Sequence, residues 1–160
     1  MSLTRNNRPS YKASILLPTY DFAHANKLFC YQLVEYKEPG LDGEYPSAYC
    51  LCCISYMAEA PISTFISLTS YLLQHAHRSY RTTLYARTNL LVLRILLEDQ
   101  ASCKNLTSEE NKSPVRLCRQ RQPHIPVVRG NRVLLMAIID IVIDGMNHNL
   151  KKKLDVNLYM

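Results

Sequence analysis

The 160-residue chain is poor in glycine, which occurs only at positions 40, 43, 130 and 145. Few positions can therefore adopt the positive φ angles of tight turns, and this disfavours an all-β sandwich. Four scattered glycines also build no phosphate-binding loop, no dinucleotide-binding fingerprint and no nucleophile elbow. Because these common nucleotide-binding and hydrolase frameworks are missing, we expect neither an enzyme nor a bound cofactor.

The chain also lacks an apolar run long enough to cross a bilayer, for which about 20 residues are needed. The longest run, residues 133–143, is interrupted by Asp140, and the next, residues 90–97, contains Arg94. A carboxylate or guanidinium at the centre of a span costs on the order of 3 kcal/mol on insertion scales. We therefore expect no transmembrane helix, although attachment to a membrane surface stays open.

Cysteine offers little sign of a metal site. Cys50, Cys52 and Cys53 could supply thiolates, but no histidine partner follows them closely, so buried apolar thiols are the favoured interpretation. The early apolar run at residues 13–17 is too short for the core of a secretory signal. Together these features predict a cytoplasmic protein with reduced thiols and no metal.

Positive charge is in excess, with 19 lysines and arginines against 13 aspartates and glutamates, a net charge of +6. The excess lies near the N-terminus, between positions 116 and 132, and at Lys151, Lys152 and Lys153. Such clusters favour an anionic partner, for example a nucleic acid, a lipid surface or an acidic protein. Charge alone does not distinguish among these partners.

Three arginines, Arg116, Arg119 and Arg121, occur in an eight-residue segment that contains no acid. Guanidinium groups bind phosphate or carboxylate through paired hydrogen bonds. Nucleic-acid binding would call for aromatic stacking residues, and none is interleaved here, so nucleic acid is not the expected partner. The structural alternative is that these arginines bridge neighbouring helices through carboxylates such as Glu98 and Asp99.

Apolar residues that recur every three or four positions in long proline-free segments predict an all-α fold. Ser79 is expected to cap one helix, and Ser113 followed by Pro114 is expected to open a short one. The polar segment 103–113 is predicted to be a linker, and segment 47–58 is ambiguous between strand and helix, with helix favoured. The predicted helices cover or include residues 21–37, 61–77, 84–97, 114–122 and 132–153.

Polar columns on these helices are weak candidates for chemistry. Asp140, Asp144 and His148 are spaced i, i+4, i+8, and such a column could ligate a metal or exchange protons. A solvated helix face has polar residues at the same spacing, and no recognised ligand motif surrounds these three, so the solvated face is favoured. His75 and His77 lie about 200° apart on a helix and could not grip one ion.

Three segments, in the same order and at the same spacing, resemble the armadillo-like helical domain family of eukaryotic Golgi scaffold proteins. They are LYAR at 84–87 leading to LLEDQ at 96–100, VRLCRQRQP at 115–123, and NHNLKKKLDV at 147–156. The match covers about residues 60–158, whereas the first 60 residues resemble the family only faintly. Fungal members are named only as uncharacterised membrane proteins. Family proteins are several times longer, so this chain is expected to be a fragment or a truncated product.

The resemblance implies an armadillo-like helical array, an α-solenoid fragment, over residues 61–160, preceded by a variable helical segment over 1–60. It further implies a non-catalytic scaffold, peripherally associated with Golgi membranes, that supports Golgi organisation and recruits a phosphatidylinositol 4-kinase. The motif positions, as candidates for packing or interaction, are Arg87, Glu98, Asp99, Arg116, Arg119, Arg121, Asn147, His148, Asn149 and Asp155. The alternative function is a peripheral membrane or nucleic-acid binding protein that acts through the basic clusters.

Overall fold

The computed structural model describes residues 15–35, 60–120 and 122–152. Within these ranges the chain forms six α-helices and one two-stranded antiparallel sheet. In chain order the elements are α1 (Leu16–Ala25), α2 (Lys27–Glu35), α3 (Pro61–His75), α4 (Tyr80–Glu98), α5 (Gln100–Thr107), β1 (Ser113–Arg119), β2 (Gln122–Arg132) and α6 (Leu134–Lys151). Helix α3 is central to the packing, since it contacts β1, α4 and α6.

The β-hairpin shows that the prediction of an all-α, armadillo-like array was wrong. Ser113 and Pro114 do not open a helix; they begin β1, in which Val115 and Leu117 are buried on either side of the half-buried Arg116. That period of two is the pattern of a strand with one buried face, and it outweighs the apparent capping pair. Both strands of a two-stranded sheet are edges, where prolines such as Pro123 and Pro126 are tolerated. The described fold is therefore mixed α/β.

Helix α3 completes the hydrogen bonding of this hairpin. Val115 pairs with Arg129 and Leu117 with Val127, but an irregularity between Leu117 and Arg119 leaves Cys118 outside the regular ladder. The Ser70 Oγ on α3 accepts the Cys118 N–H at 2.8 Å and lies 3.2 Å from the Cys118 carbonyl oxygen, to which it donates. The side chain of one buried serine thus replaces the missing strand partner.

The predicted helix at 21–37 is two helices, α1 and α2. Asn26 has an extended backbone between them, and its Oδ1 accepts the Leu28 N–H at 2.9 Å. An asparagine side chain that bonds the backbone two residues ahead ends one helix and starts the next. The predicted helix at 47–58, like Cys50, Cys52 and Cys53, lies outside the described residues.

The helices predicted at 61–77 and 84–97 are confirmed as α3 and α4. The predicted cap is present: Ser79 Oγ accepts the Thr82 N–H, and Thr82 Oγ1 accepts the Ser79 N–H. A hydrogen bond of 2.8 Å from the Asn89 amide to Thr69 Oγ1 joins α4 to α3 inside the core. The apolar core between α3, α4 and α6 includes Ile66, Leu73, Val92, Leu96, Ala137 and Ile138.

Two boundaries differ from the sequence prediction. The expected linker at 103–113 is partly helical, because Asp99 caps α5 by accepting the Ser102 N–H at 2.9 Å. The last helix begins at Leu134 and not at Arg132, since Arg132 still belongs to β2. Its guanidinium forms an ion pair with Asp140 and ties the end of β2 to α6.

Candidate functional site

Helices α4 and α6 leave an open groove of about 450 Å³ between them, which we call the α4–α6 groove. Its floor includes the buried Leu93 and Ile138, and its walls include Leu91 and Met146, whose exposed fractions are 37% and 41%. Arg87, Arg94 and Glu98 form the polar part of the lining, and the remaining lining residues are Leu90, Leu97 and Val142. The groove is thus an apolar channel whose polar edge is carried by α4.

One side of α6 presents an apolar stripe to solvent. Its residues are spaced three, four, three and four positions apart and are between 41% and 62% exposed. This spacing is the one that packs against another helix in a coiled coil. The stripe, called here the α6 outer stripe, consists of Met136, Ile139, Ile143, Met146 and Leu150.

The sequence of α6 contains two apolar columns, one of Leu134, Ile138 and Ile141 and the other of Leu135, Ile139, Val142, Met146 and Leu150, and only the first is buried throughout. Leu134, Ile138 and Ile141 are buried against the rest of the molecule. Ile139 and Met146, from the second column, belong to the exposed stripe. The sequence pattern contained both columns, but it did not show which of them would lack a neighbour.

The arginines of the hairpin face carboxylates of α6. A second, smaller cavity of about 180 Å³ is lined by Arg119 and Arg129 from the hairpin and by Asp140 and Asp144 from α6. Bridging through carboxylates was expected, but at Glu98 and Asp99. Those two side chains have other partners, since Glu98 pairs with Arg94 at 2.7 Å and Asp99 caps α5.

A hydrogen-bonded chain joins the end of α3 to β2. His75 Nδ1 lies 2.8 Å from the Tyr71 carbonyl oxygen, His75 Nε2 lies 3.1 Å from His124 Nδ1, and His124 Nε2 lies 3.0 Å from an Arg78 nitrogen. A carbonyl oxygen only accepts and a guanidinium only donates, so the tautomers follow. His75 donates from Nδ1 and accepts at Nε2, and His124 donates from Nδ1 and accepts at Nε2. Each donor in this series of hydrogen bonds faces an acceptor only when both imidazole rings are neutral.

A second histidine pair joins the turn after α3 to the end of α6. The rings of His77 and His148 meet edge to face, with centroids 5.1 Å apart. Burial lowers the pKa of His75, His77 and His148 below the ordinary histidine value, and nearby cations such as Lys152 lower the pKa of His77 and His148 further. His75 and His77 therefore have different partners, each supplied by a different element.

The motif positions taken from the sequence lie in three separate places. Arg87 and Glu98 line the α4–α6 groove, with Asp99 at the junction of α4 and α5. Arg116 and Arg119 lie on β1. Asn147 is exposed near the end of α6, whereas His148 and Asn149 are buried there. Arg121 and Asp155 lie outside the described residues.

Within the described ranges, no group of three or more histidine, cysteine or acidic side chains is placed to hold a metal ion. The column of Asp140, Asp144 and His148 is divided between partners. Asp140 pairs with Arg132, and His148 packs on His77. Neither His124 nor Arg78 stands out in the sequence, because their roles depend on contacts across 46 to 49 positions of chain.

Comparison with known proteins gives one informative similarity. The chain is 28% identical over 151 residues to UPF0588 membrane protein C20F10.02c of the fission yeast Schizosaccharomyces pombe. The aligned region covers 94% of this chain but only 22% of the relative, so the chain spans less than a quarter of that protein. No family model matches the chain, and no solved structure does.

The motif resemblance included fungal proteins named only as uncharacterised membrane proteins, and the name of this fission yeast relative agrees with that part of it. It adds no armadillo or Golgi assignment. Among the helices that the structure describes, none combines the length and the apolar character that a membrane crossing requires.

Proposed function

We propose that this chain is a non-catalytic scaffold or adaptor that binds a partner protein through the α4–α6 groove. The observation that carries the proposal is the α6 outer stripe, which places five large apolar side chains in solvent along one helix. Contiguous apolar surface bordering a groove with a polar edge marks an interaction site. Seven of the ten residues that line the groove are apolar, which suits packing against another polypeptide.

The cellular role follows from the motif resemblance. On that resemblance, the chain would support Golgi organisation and recruit a phosphatidylinositol 4-kinase. The name of the fission yeast relative, a membrane protein, supports the membrane association in this extension.

The adaptor proposal is tested with Met146→Glu in the full-length protein, expressed in cells that lack the natural copy. Met146 lies in the groove wall and is 41% exposed, so the charge should disturb binding more than folding. We expect the amount of lipid kinase at the Golgi, measured by quantitative imaging and by co-precipitation, to fall at least about fivefold.

The matched control is Ile125→Glu, which places the same charge at a 63% exposed position on β2 that does not line the groove. This control should leave kinase recruitment unchanged. Normal recruitment by the Met146→Glu protein would contradict the proposal.

A second candidate function is attachment to an anionic membrane surface. It is favoured by the name of the relative and by Lys151 and Lys152, which are exposed at the end of α6. Binding to vesicles that contain phosphatidylserine should then weaken steeply between 50 and 300 mM salt, as expected when exposed charges are screened. Vesicle binding that ignores salt, or no binding at all, would remove this candidate.

A further inference from the structure

The α4–α6 groove has the shape of a seat for a third helix. Two neighbouring helices form its walls, and their side chains leave a concave, aliphatic channel between Leu91 and Met146. The groove residues of α4 run from Arg87 to Glu98, which corresponds to about 17 Å of helix, or three turns. A helix of that length with one apolar face would fill the channel, whereas a flat protein surface would contact only the edges of the groove.

The charges around the groove determine which charge a helix bound there should carry. Arg87 and Arg94 are the cations of the groove lining on α4, and the opposing charge there is Glu98, which pairs with Arg94 at 2.7 Å. The edge of the groove on α4 is therefore net positive. On α6, Asp140 and Asp144 line the cavity toward the hairpin, and Asp140 is already paired with Arg132.

This charge pattern disfavours a second copy of the chain as the occupant. Two copies joined by a two-fold axis at this groove would bring together two edges of the same net positive charge. Like charges at an interface suppress association, and opposite charges favour it.

We propose that the α4–α6 groove binds an acidic amphipathic helix of a partner protein. The apolar residues of that helix, spaced i, i+3, i+4 and i+7, would pack between Leu91 and Met146, and carboxylates on its flank would meet Arg87 and Arg94. This inference rests on the proposed adaptor function and adds the chemistry of the partner to it.

The test uses two 18-residue synthetic peptides and the complete 160-residue chain. Both peptides carry leucine at the same helical spacing; one has glutamate at the flanking positions and the other has lysine. Fluorescence anisotropy should show that the acidic peptide binds at least about tenfold more tightly at 50 mM salt. The preference should shrink at 300 mM salt, because the flanking contacts are electrostatic.

Variants of the chain locate the binding site. Met146→Glu should weaken binding of the acidic peptide at least about tenfold, and Arg87→Glu should reverse the preference between the two peptides. The controls are Ile125→Glu on β2 and Lys104→Glu on α5, exposed positions that do not line the groove, and neither should change the affinity more than about twofold. Circular dichroism checks that each variant is folded.

Three results would overturn the inference. The first is equal affinity for the two peptides. The second is self-association of the chain that Met146→Glu abolishes, since the occupant would then be a second copy. The third is binding to anionic vesicles that Met146→Glu abolishes while peptide binding is absent, since the groove would then be a lipid-binding surface.

Failure of this inference and failure of the adaptor function can be told apart. If Met146→Glu abolishes kinase recruitment in cells but the chain does not prefer the acidic peptide, the adaptor function stands and the partner chemistry is wrong. If the acidic peptide binds as expected but recruitment is unaffected, the groove ligand is right and the cellular function is wrong.

Discussion

At the residue scale, three buried or half-buried histidines should make the stability of the protein depend on pH. His75, His77 and His148 have pKa values lowered by burial, so each releases its proton more readily in the folded chain than in the unfolded one. As pH falls below the unfolded value of about 6.5, the unfolded chain takes up protons that the folded chain refuses. The free energy of unfolding should therefore fall from pH 7.5 toward pH 5.

The substitution His148→Gln tests this linkage. It removes one buried titratable ring, so the difference in unfolding free energy between pH 7.5 and pH 5 should become smaller than in the natural chain. Urea unfolding at the two pH values measures it. His24→Gln, which removes an exposed histidine on α1, is the matched control. Equal reductions in both variants would show that burial is not the cause.

A second residue-scale prediction concerns the hydrogen bond between Asn89 and Thr69. Thr69→Val removes the acceptor and leaves the Asn89 amide buried without that partner. Leaving such a group unsatisfied costs about 1–3 kcal/mol, which urea unfolding would detect. Thr64→Val, at an exposed position of α3, is the control and should change stability by less than about 0.5 kcal/mol. The prediction fails if both valine variants are equally stable.

At the element scale, the hairpin depends on α3 for hydrogen bonds that its own ladder lacks. Ser70→Ala deprives both the N–H and the carbonyl of Cys118 of their partner on α3. We expect a loss of about 1–3 kcal/mol in unfolding free energy and faster hydrogen exchange at the Cys118 amide.

The control for the hairpin is Ser67→Ala, because the Ser67 hydroxyl donates within its own helix, to the Ser63 carbonyl oxygen at 2.8 Å. It should leave the Cys118 amide protected. Unchanged exchange at Cys118 in the Ser70→Ala protein would mean that the serine does not hold the strand.

The hairpin also shows where sequence reasoning failed. Ser113 and Pro114 match the beginning of a helix, and arginines at 116 and 119 fit a helical spacing as well as a strand. Only the burial of Val115 and Leu117 against α3 separates the two structures, and that burial depends on residues about 50 positions away. A short segment with equal local preferences takes the structure that its tertiary partner provides.

At the scale of the whole molecule, alanine substitution of two isoleucines compares the stability contribution of the core with that of the α6 outer stripe. Ile66 on α3 is fully buried, and Ile143 on the α6 outer stripe is 52% exposed. Ile66→Ala should lower the unfolding free energy by about 2–5 kcal/mol, since it leaves a cavity. Ile143→Ala should change it by less than about 0.5 kcal/mol.

Chemical unfolding of both alanine variants, monitored by circular dichroism, measures this contrast. The substitutions delete the same atoms, so each serves as the control for the other. Similar losses at the two sites would mean that the outer stripe packs within the chain and is not available to a partner.

The sequence by itself determined the helices α3, α4 and α6, because their apolar spacing extends over many turns and because Ser79 carries its own capping pattern. Tertiary structure alone decided that residues 113–132 form a hairpin, that the α6 outer stripe stays in solvent, and that His75 meets His124. The physical reason is range: spacing within a helix is a local property, whereas the identity of a neighbour depends on how distant segments share the buried volume.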